Sequence, residues 1–373
     1  MMNTPQIVWD IGTAYDFFIS LSTLHHPNKF GLRGAWAAGV RSRLPNPERE
    51  FLQDIMEFIS WPVDWVYQLP QPKNAQTALH VLSDLAPAAR LPALTIGTAE
   101  NEYTRILRGI AEKGSWDEAD EDAIWELHAH EYAAHSKKRP KRQDLSPILK
   151  WWVNLEEFGN MIQSSLQAYY DVFFAEDELR IEPALRQELE RAQKIAEDAN
   201  VIELLEAISQ GVQFEEIPQT EKLILAPSFW ASPLLLWGMQ TPQQMLLVFG
   251  ARPSDASMVP GDVIPDALFQ ALKALADPTR LRILRYLMAK PMTPAELARR
   301  LRLRPPTVIH HLDTLRLARL IYVTISHEGR RYQARKAAVE ETYSLLDTFL
   351  GMKEETEKEK AMPAPRWPAD MPY

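Results

Sequence analysis

The 373-residue chain contains no cysteine. That absence excludes disulfides, thiolate zinc sites and thiol redox switching together, and it fits a reducing compartment such as the cytoplasm. Long apolar runs are missing as well. No uncharged stretch reaches the roughly 18 residues that a membrane helix needs, and the apolar runs at 234–237 and 245–249 are far too short. The first residues, MMNTPQIVWD, offer no basic region ahead of an apolar core, so no signal peptide is readable. Glycine is sparse and scattered, at 14 residues. No GxGxxG follows a strand, and neither a Walker-type loop nor a GxSxG elbow is present, so no nucleotide cradle or nucleophile turn is expected. Adjacent acids such as Glu156 and Glu157 face different directions on a helix and make no acid–base pair. These gaps predict a protein with no cofactor and no catalytic residues.

What is present is most ordered between residues 276 and 334, which read ADPTRLRILRYL, TPAELARRL, RPPTVIHHLDTLRLARLI and YVTISHEGRRYQ. Asp277 is placed to cap a helix whose first position, Pro278, needs no N–H partner. Leu281, Leu284, Leu287 and Met288 follow at helical spacing and predict one buried face. Thr293-Pro294-Ala295-Glu296 is a capping box that opens a second short helix, with Leu297, Ala298 and Leu301 inside. A third helix begins near Pro305 and turns Val308, Leu312 and Leu315 inward, leaving Thr307, Ile309, His310, Asp313 and Thr314 on its other face. Beyond Leu320 the period becomes two. Strands 321–326 and 330–335 flank His327-Glu328-Gly329, whose glycine suits the positive φ of a tight hairpin. Helix, helix, helix and hairpin in this order predict a winged helix-turn-helix.

These residues resemble the ArsR-type family of bacterial transcriptional regulators. The likeness rests on LADPTRLRIL at 275–284, ELA at 296–298, TV-x-HHL-x-x-L at 307–315 and EGR followed by Tyr332. Three positions depart from the family pattern: Ile309 stands where Ser is usual, and Arg302 and Arg304 replace a turn Gly and a capping Ser. An arginine in a left-handed turn costs about 1 kcal/mol and one at an N-cap roughly as much again. Such penalties persist where function compensates, and two guanidinium groups at the mouth of a recognition helix suit a phosphate backbone. The resemblance implies double-stranded DNA as partner and a homodimer on a roughly palindromic operator. Many members sense metals through cysteines in the second helix, where this chain has residues 293–297 and no thiol. Cysteine-based metal sensing is therefore excluded.

Charge is distributed to match. Residues 266–350 carry 15 Lys/Arg against 8 Asp/Glu, so a basic module of net +7 sits in a chain of net −9. Ahead of it, residues 1 to about 250 read as a mainly helical body, with helices over 13–25, 47–59, 75–85, 100–113, 116–135, 148–174 and 183–209. The 148–174 helix is expected to bury Trp152, Leu155, Phe158, Ile162, Leu166, Tyr169 and Phe173 as core. Short β-like runs at 222–226 and 245–249 predict a small sheet closing this body. The expected fold is mainly α with a small β component: a larger, mostly helical N-terminal sensor or assembly domain (1–250), a connector (251–265), the winged helix-turn-helix (266–350) and a disordered tail (351–373). The body's layout is similar to the large N-terminal extension that some ArsR-type regulators carry.

Candidate DNA-contacting residues are Pro306, Thr307, Ile309, His310, His311 and Thr314 on the recognition helix, with Arg302, Arg304, Arg330 and Arg331 on phosphates. His311 is equally suited to packing against the neighbouring helix. In the body, His128, Glu131 and His135 lie at spacings of three and four, a geometry that can hold a transition metal. No further ligand is identifiable there, and a solvated helix face accounts for the pattern. The basic loop 137–142 is read as solvated. The chain is read as a cytoplasmic DNA-binding regulator, a repressor answering to a small-molecule effector held among the aromatic residues of the body. The alternative is an enzyme or protein-interaction body that uses the winged helix for dimerisation or localisation.

Overall fold

The helix Thr13–His25 (α1) is enclosed on every side, with each residue from Thr13 to Leu24 buried. A helix so enclosed must satisfy its polar groups internally. The Ser20 hydroxyl meets that of Tyr169 at 2.8 Å, Thr23 donates to the Ile19 carbonyl at 2.8 Å, and Thr13 donates to Glu178 Oε1 at 2.5 Å. Asp16 accepts from the Ser228 hydroxyl and the Trp230 backbone N–H. The computed structural model describes residues 4–56, 61–97, 101–134, 145–214, 220–241, 243–326 and 329–352, with the backbone alone described at 128–134, 239–240 and 325–326. These residues fall into two compact units, one within 4–210 and 220–252, the other within 211–214 and 253–352.

The first unit opens with β1 (Gln6–Trp9) and α1, then α2 (Pro27–Phe30), α3 (Gly34–Arg41), α4 (Asn46–Ile55), α5 (Val63–Tyr67), α6 (Ala75–Asp84), α7 (Pro87–Thr95), α8 (Glu102–Lys113), α9 (Glu118–Ala134), α10 (Ser146–Val153) and α11 (Leu155–Tyr169). A π-helical segment, Tyr170–Phe174, leads into α12 (Ala175–Asp198) and α13 (Val201–Ser209). Strands β3 (Lys222–Ser228), β4 (Leu236–Thr241) and β5 (Gln244–Gly250) complete it. The sheet order is β1-β3-β5-β4, with β1, β3 and β5 parallel and β4 antiparallel at the edge. Leu223–Ala226 and Leu246–Phe249 are almost wholly buried, the run of unbroken apolar residues that strands covered on both faces require.

Lys73 and Arg90, two buried cations of this unit, find their partners locally. At the end of β1, Asp10 accepts from Lys73 Nζ and from the Tyr15 hydroxyl, each at 2.6 Å, with both ionic partners buried. Arg90 of α7 donates to the carbonyls of Leu82, Ser83 and Leu85 at the end of α6, and to Gly159 of α11 at 2.7 Å. Cations suit the negative end of a helix, so Arg90 ties three elements together. Gly159 is required there, because a Cβ would lie 1.9 Å from the Pro87 carbonyl oxygen.

The second unit contains α14 (Asp266–Leu275), α15 (Pro278–Ala289), α16 (Pro294–Leu301), α17 (Pro305–Leu317), the hairpin β6 (Ile321–Ser326) and β7 (Gly329–Ala334), and α18 (Lys336–Phe349). It also contains β2 (Val212–Phe214), which pairs in parallel with β6 to give the order β2-β6-β7. The protein is thus mainly α with small β components, and its C-terminal part is a winged helix-turn-helix.

Several local expectations change. The helix read over 148–174 breaks at Asn154, which leaves helical backbone angles, and ends in the π segment. Its core stripe nevertheless stands, with Trp152, Phe158, Ile162, Leu166, Tyr169 and Phe173 buried and Leu155 half-buried. The helix read from Pro183 starts at Ala175 instead, with Pro183 inside it. The carbonyl that loses its partner there belongs to Leu179, whose surroundings are open to water. On α15, Leu281 and Met288 are exposed, and Ile283, Leu284 and Leu287 form the buried face.

Candidate nucleic-acid interface

The capping signals place the helix starts where the sequence puts them. Asp277 accepts from the Arg280 N–H at 2.8 Å, a bond that lowers its carboxyl pKa. Thr293 and Glu296 close a reciprocal box, the Thr293 N–H donating to Glu296 at 2.7 Å. Between α16 and α17 the chain turns through Arg302, whose φ of 56° is left-handed, and Arg304, an N-cap whose side chain makes no capping bond. Both penalties anticipated for these arginines are therefore present. Pro305 and Pro306 occupy the first positions of α17, where no N–H partner is needed.

α17 anchors itself through Val308, Leu312 and Leu315, all buried. Its N-terminal half then presents Pro306, Thr307, Ile309 and His310 to solvent. Thr314 is half-buried and donates back to the His310 carbonyl at 3.0 Å. His311 points elsewhere: it is half-buried within electrostatic reach of Asp277 and Arg280 at the start of α15, and burial lowers its pKa against the pull of Asp277. Its Nδ1 is buried without a hydrogen-bond partner among the described residues.

Arg302 and Arg304 are exposed beside the start of α17, and Arg330 and Arg331 are exposed on β7. Among the described residues none of these four joins an ion pair, although Arg331 helps to lower the pKa of Glu296. Three further cations belong to this surface. Arg299 and Arg300 are exposed in the last turn of α16, with Arg300 5.5 Å from the Tyr286 ring centre. Their adjacency at a helix C-terminus was the signal available for them. Arg316 is half-buried near Arg330 and Tyr332, where burial lowers its pKa, so a cation of the recognition helix lies beside one of the wing. The hairpin residues His327 and Glu328 lie outside the described residues.

The other candidates in the body fall largely outside the described side chains. His128 and Glu131 fall where only the backbone of α9 is described, while His135 and the basic loop 137–142 lie outside the described residues, as does the tail from residue 353. Among the described residues no group of three or more His, Cys, Asp or Glu is placed to hold a metal ion. No described helix is long and apolar enough to cross a membrane.

A winged helix-turn-helix with an exposed recognition helix and exposed arginines beside it defines the DNA-binding module of a transcription regulator. The family model described as "Bacterial regulatory protein, arsR family" matches residues 277–323, from the cap of α15 into β6. The chain therefore carries an arsR-family module in its C-terminal part, behind a large N-terminal extension. No curated protein and no solved structure matches the chain.

Proposed function

We propose that this protein is a cytoplasmic, sequence-specific transcriptional repressor that binds its operator as a homodimer and releases it when a small molecule binds the N-terminal body. The observation that carries the reading is the exposed N-terminal half of α17, with Arg302 and Arg304 exposed at its start and Arg330 and Arg331 exposed on the wing strand β7. In the major groove, Thr307 and His310 meet base edges or phosphates, and Ile309, 43% exposed, meets a thymine methyl group. The arginines fix register on the phosphates without reading sequence. Support for a dimer comes from apolar side chains left uncovered on α14 and α18, among them Leu272 and Tyr343.

The test is binding to the duplex upstream of the protein's own gene against a scrambled duplex, over a range of salt concentrations. The upstream duplex is expected to bind more tightly. Arg330→Ala/Arg331→Ala is expected to reduce the slope of log K against log salt by about 2, with sequence preference retained. Equal weak binding to both duplexes, unchanged in the double variant, would remove the proposal.

A further inference from the structure

Four side chains of α17 share one stripe of its outward face: Pro306, then Ile309 and His310 one turn on, then Asp313 a second turn on. All four are exposed. Recognition helices in the major groove read bases from this spacing, the last reader standing two turns after the first. Asp313 differs from the other three by its charge, since an acid on this face meets a polyanion.

The groups that act on its carboxyl are mostly cationic: Arg316 one turn ahead, His310 one turn back and Arg330 on the wing. None of them binds it. Among the described residues Asp313 joins no ion pair and accepts no side-chain hydrogen bond. Burial nevertheless raises its pKa against the pull of all three cations. The protein therefore strips part of the carboxylate's hydration and offers no donor in exchange.

An acceptor in that state, on the face turned to DNA, has few partners. Phosphate oxygens are acceptors themselves and repel it. The major groove offers hydrogens from two groups, the N6 amine of adenine and the N4 amine of cytosine. Adenine sets its amine beside the N7 acceptor, a pair that an amide matches and a carboxylate does not. Cytosine presents the amine without that acceptor, and an ionised carboxylate is acceptor-only.

We infer that Asp313 is a specificity-determining residue whose carboxylate accepts from the N4 amine of a cytosine, and so selects a C·G pair at one position of each half-site. The inference deepens the regulator reading and rests on it. The same carboxylate works against indiscriminate binding, because a duplex without an amine at that position leaves an acid facing acceptors. The rival role is internal, with Asp313 orienting Arg330 on the wing. That role predicts a loss of affinity on every sequence alike, since phosphate contacts carry no base preference.

The experiment uses the full chain and duplexes with a randomised core. Rounds of retention and sequencing are run with the wild type, Asp313→Ala and Asp313→Asn, and the enriched duplexes are then titrated. The wild type is expected to enrich cytosine at one position of each half-site and to bind about tenfold more weakly when that pair becomes T·A. Asp313→Ala should lose the preference at that position alone. It should also bind scrambled DNA more tightly than the wild type, since a negative charge has left the DNA face. Asp313→Asn should move the preference there to adenine, whose N6 and N7 an amide matches. Thermal melts check folding, and Asp313→Asn, the closer in shape, decides if Asp313→Ala does not fold. A cytosine preference that survives in both variants, or that is missing in the wild type, overturns the inference. So does affinity lowered evenly on all duplexes, which assigns Asp313 to the internal role. The regulator reading fails by a different result, a wild type that enriches no sequence and binds every duplex alike.

Discussion

Asp16 is 0% exposed, and its two carboxylate oxygens have unlike surroundings. One accepts from Ser228 at 2.6 Å and from the Trp230 N–H at 2.7 Å, and the other has no partner among the described residues. Burial outweighs those two bonds, and Asp177 nearby adds repulsion, so the pKa rises to about 7. His25, at the other end of the same helix, is pushed the opposite way by burial, down to about 4. The signs oppose. Asp16 holds a proton in the folded chain that the unfolded chain gives up near pH 4, so its contribution falls as pH rises between about 4 and 7. His25 is neutral when folded and charges near pH 6.5 when unfolded, so its contribution grows over about pH 4 to 6.5 and is level above. A wild-type pH profile therefore hides both. Asp16→Asn keeps an acceptor for Ser228 and Trp230 without a titrating group, so the stability difference between variant and wild type should move by roughly 1 kcal/mol in the variant's favour between pH 6 and pH 8. Urea unfolding at the two pH values measures it. A difference independent of pH would mean that Asp16 is ionised in the folded state throughout.

The turn between α16 and α17 sets a local cost against a surface charge. Arg302 holds φ at 56°, where a glycine rests without strain. Arg302→Gly should therefore stabilise the module by up to about 1 kcal/mol, less the extra chain entropy of glycine when unfolded. The same change removes one cation from the mouth of α17 and should reduce the salt slope of DNA binding by about 1. Stability by denaturant melts and slope by DNA titration must move in opposite directions; a gain in stability with an unchanged slope would leave Arg302 no part in phosphate contact. That turn was legible in the sequence because its signals are local: caps at Asp277 and Thr293, prolines at helix starts, and Val308, Leu312 and Leu315 at helical spacing. Ile309 and His310 on the outer face followed from the same spacing. For His311 the spacing left DNA contact and packing against the neighbouring helix equally open, since its surroundings are set by Asp277, over thirty residues away. The strands β1 and β2 were illegible for a related reason. They have four and three residues, too few for a period to register, and are stabilised only by pairing with Lys222–Leu225 and with Val323–Ile325.

At the scale of the whole molecule, the single chain leaves two neighbouring helices incompletely covered. α14 exposes Phe269 at 38% and Leu272 at 41%, one turn apart, and α18 exposes Tyr343 at 61%, with Leu350 just past its end exposed at 58%. Contiguous apolar side chains of this size mark an interaction surface. A twofold axis through it would let the same patch cover itself in a second copy, the commonest arrangement for soluble oligomers. The consequence for DNA is geometric, since two recognition helices held about one duplex turn apart bind a palindrome through both half-sites. If a second copy covers this patch, Leu272→Glu/Tyr343→Glu would bury two carboxylates in the interface while leaving the sequences of α17 and the wing unchanged. Light scattering on the eluted protein is expected to show a dimer for the wild type and a monomer for the variant. The sharper measurement compares duplexes. On a single half-site the two proteins should bind alike, because each module still reads its own bases. On the full palindrome the wild type should gain a hundredfold or more from linkage, and the variant should gain nothing. If the variant loses affinity on the half-site as well, the patch supports the reading module itself. If it keeps the gain on the palindrome, the second copy is held by another surface.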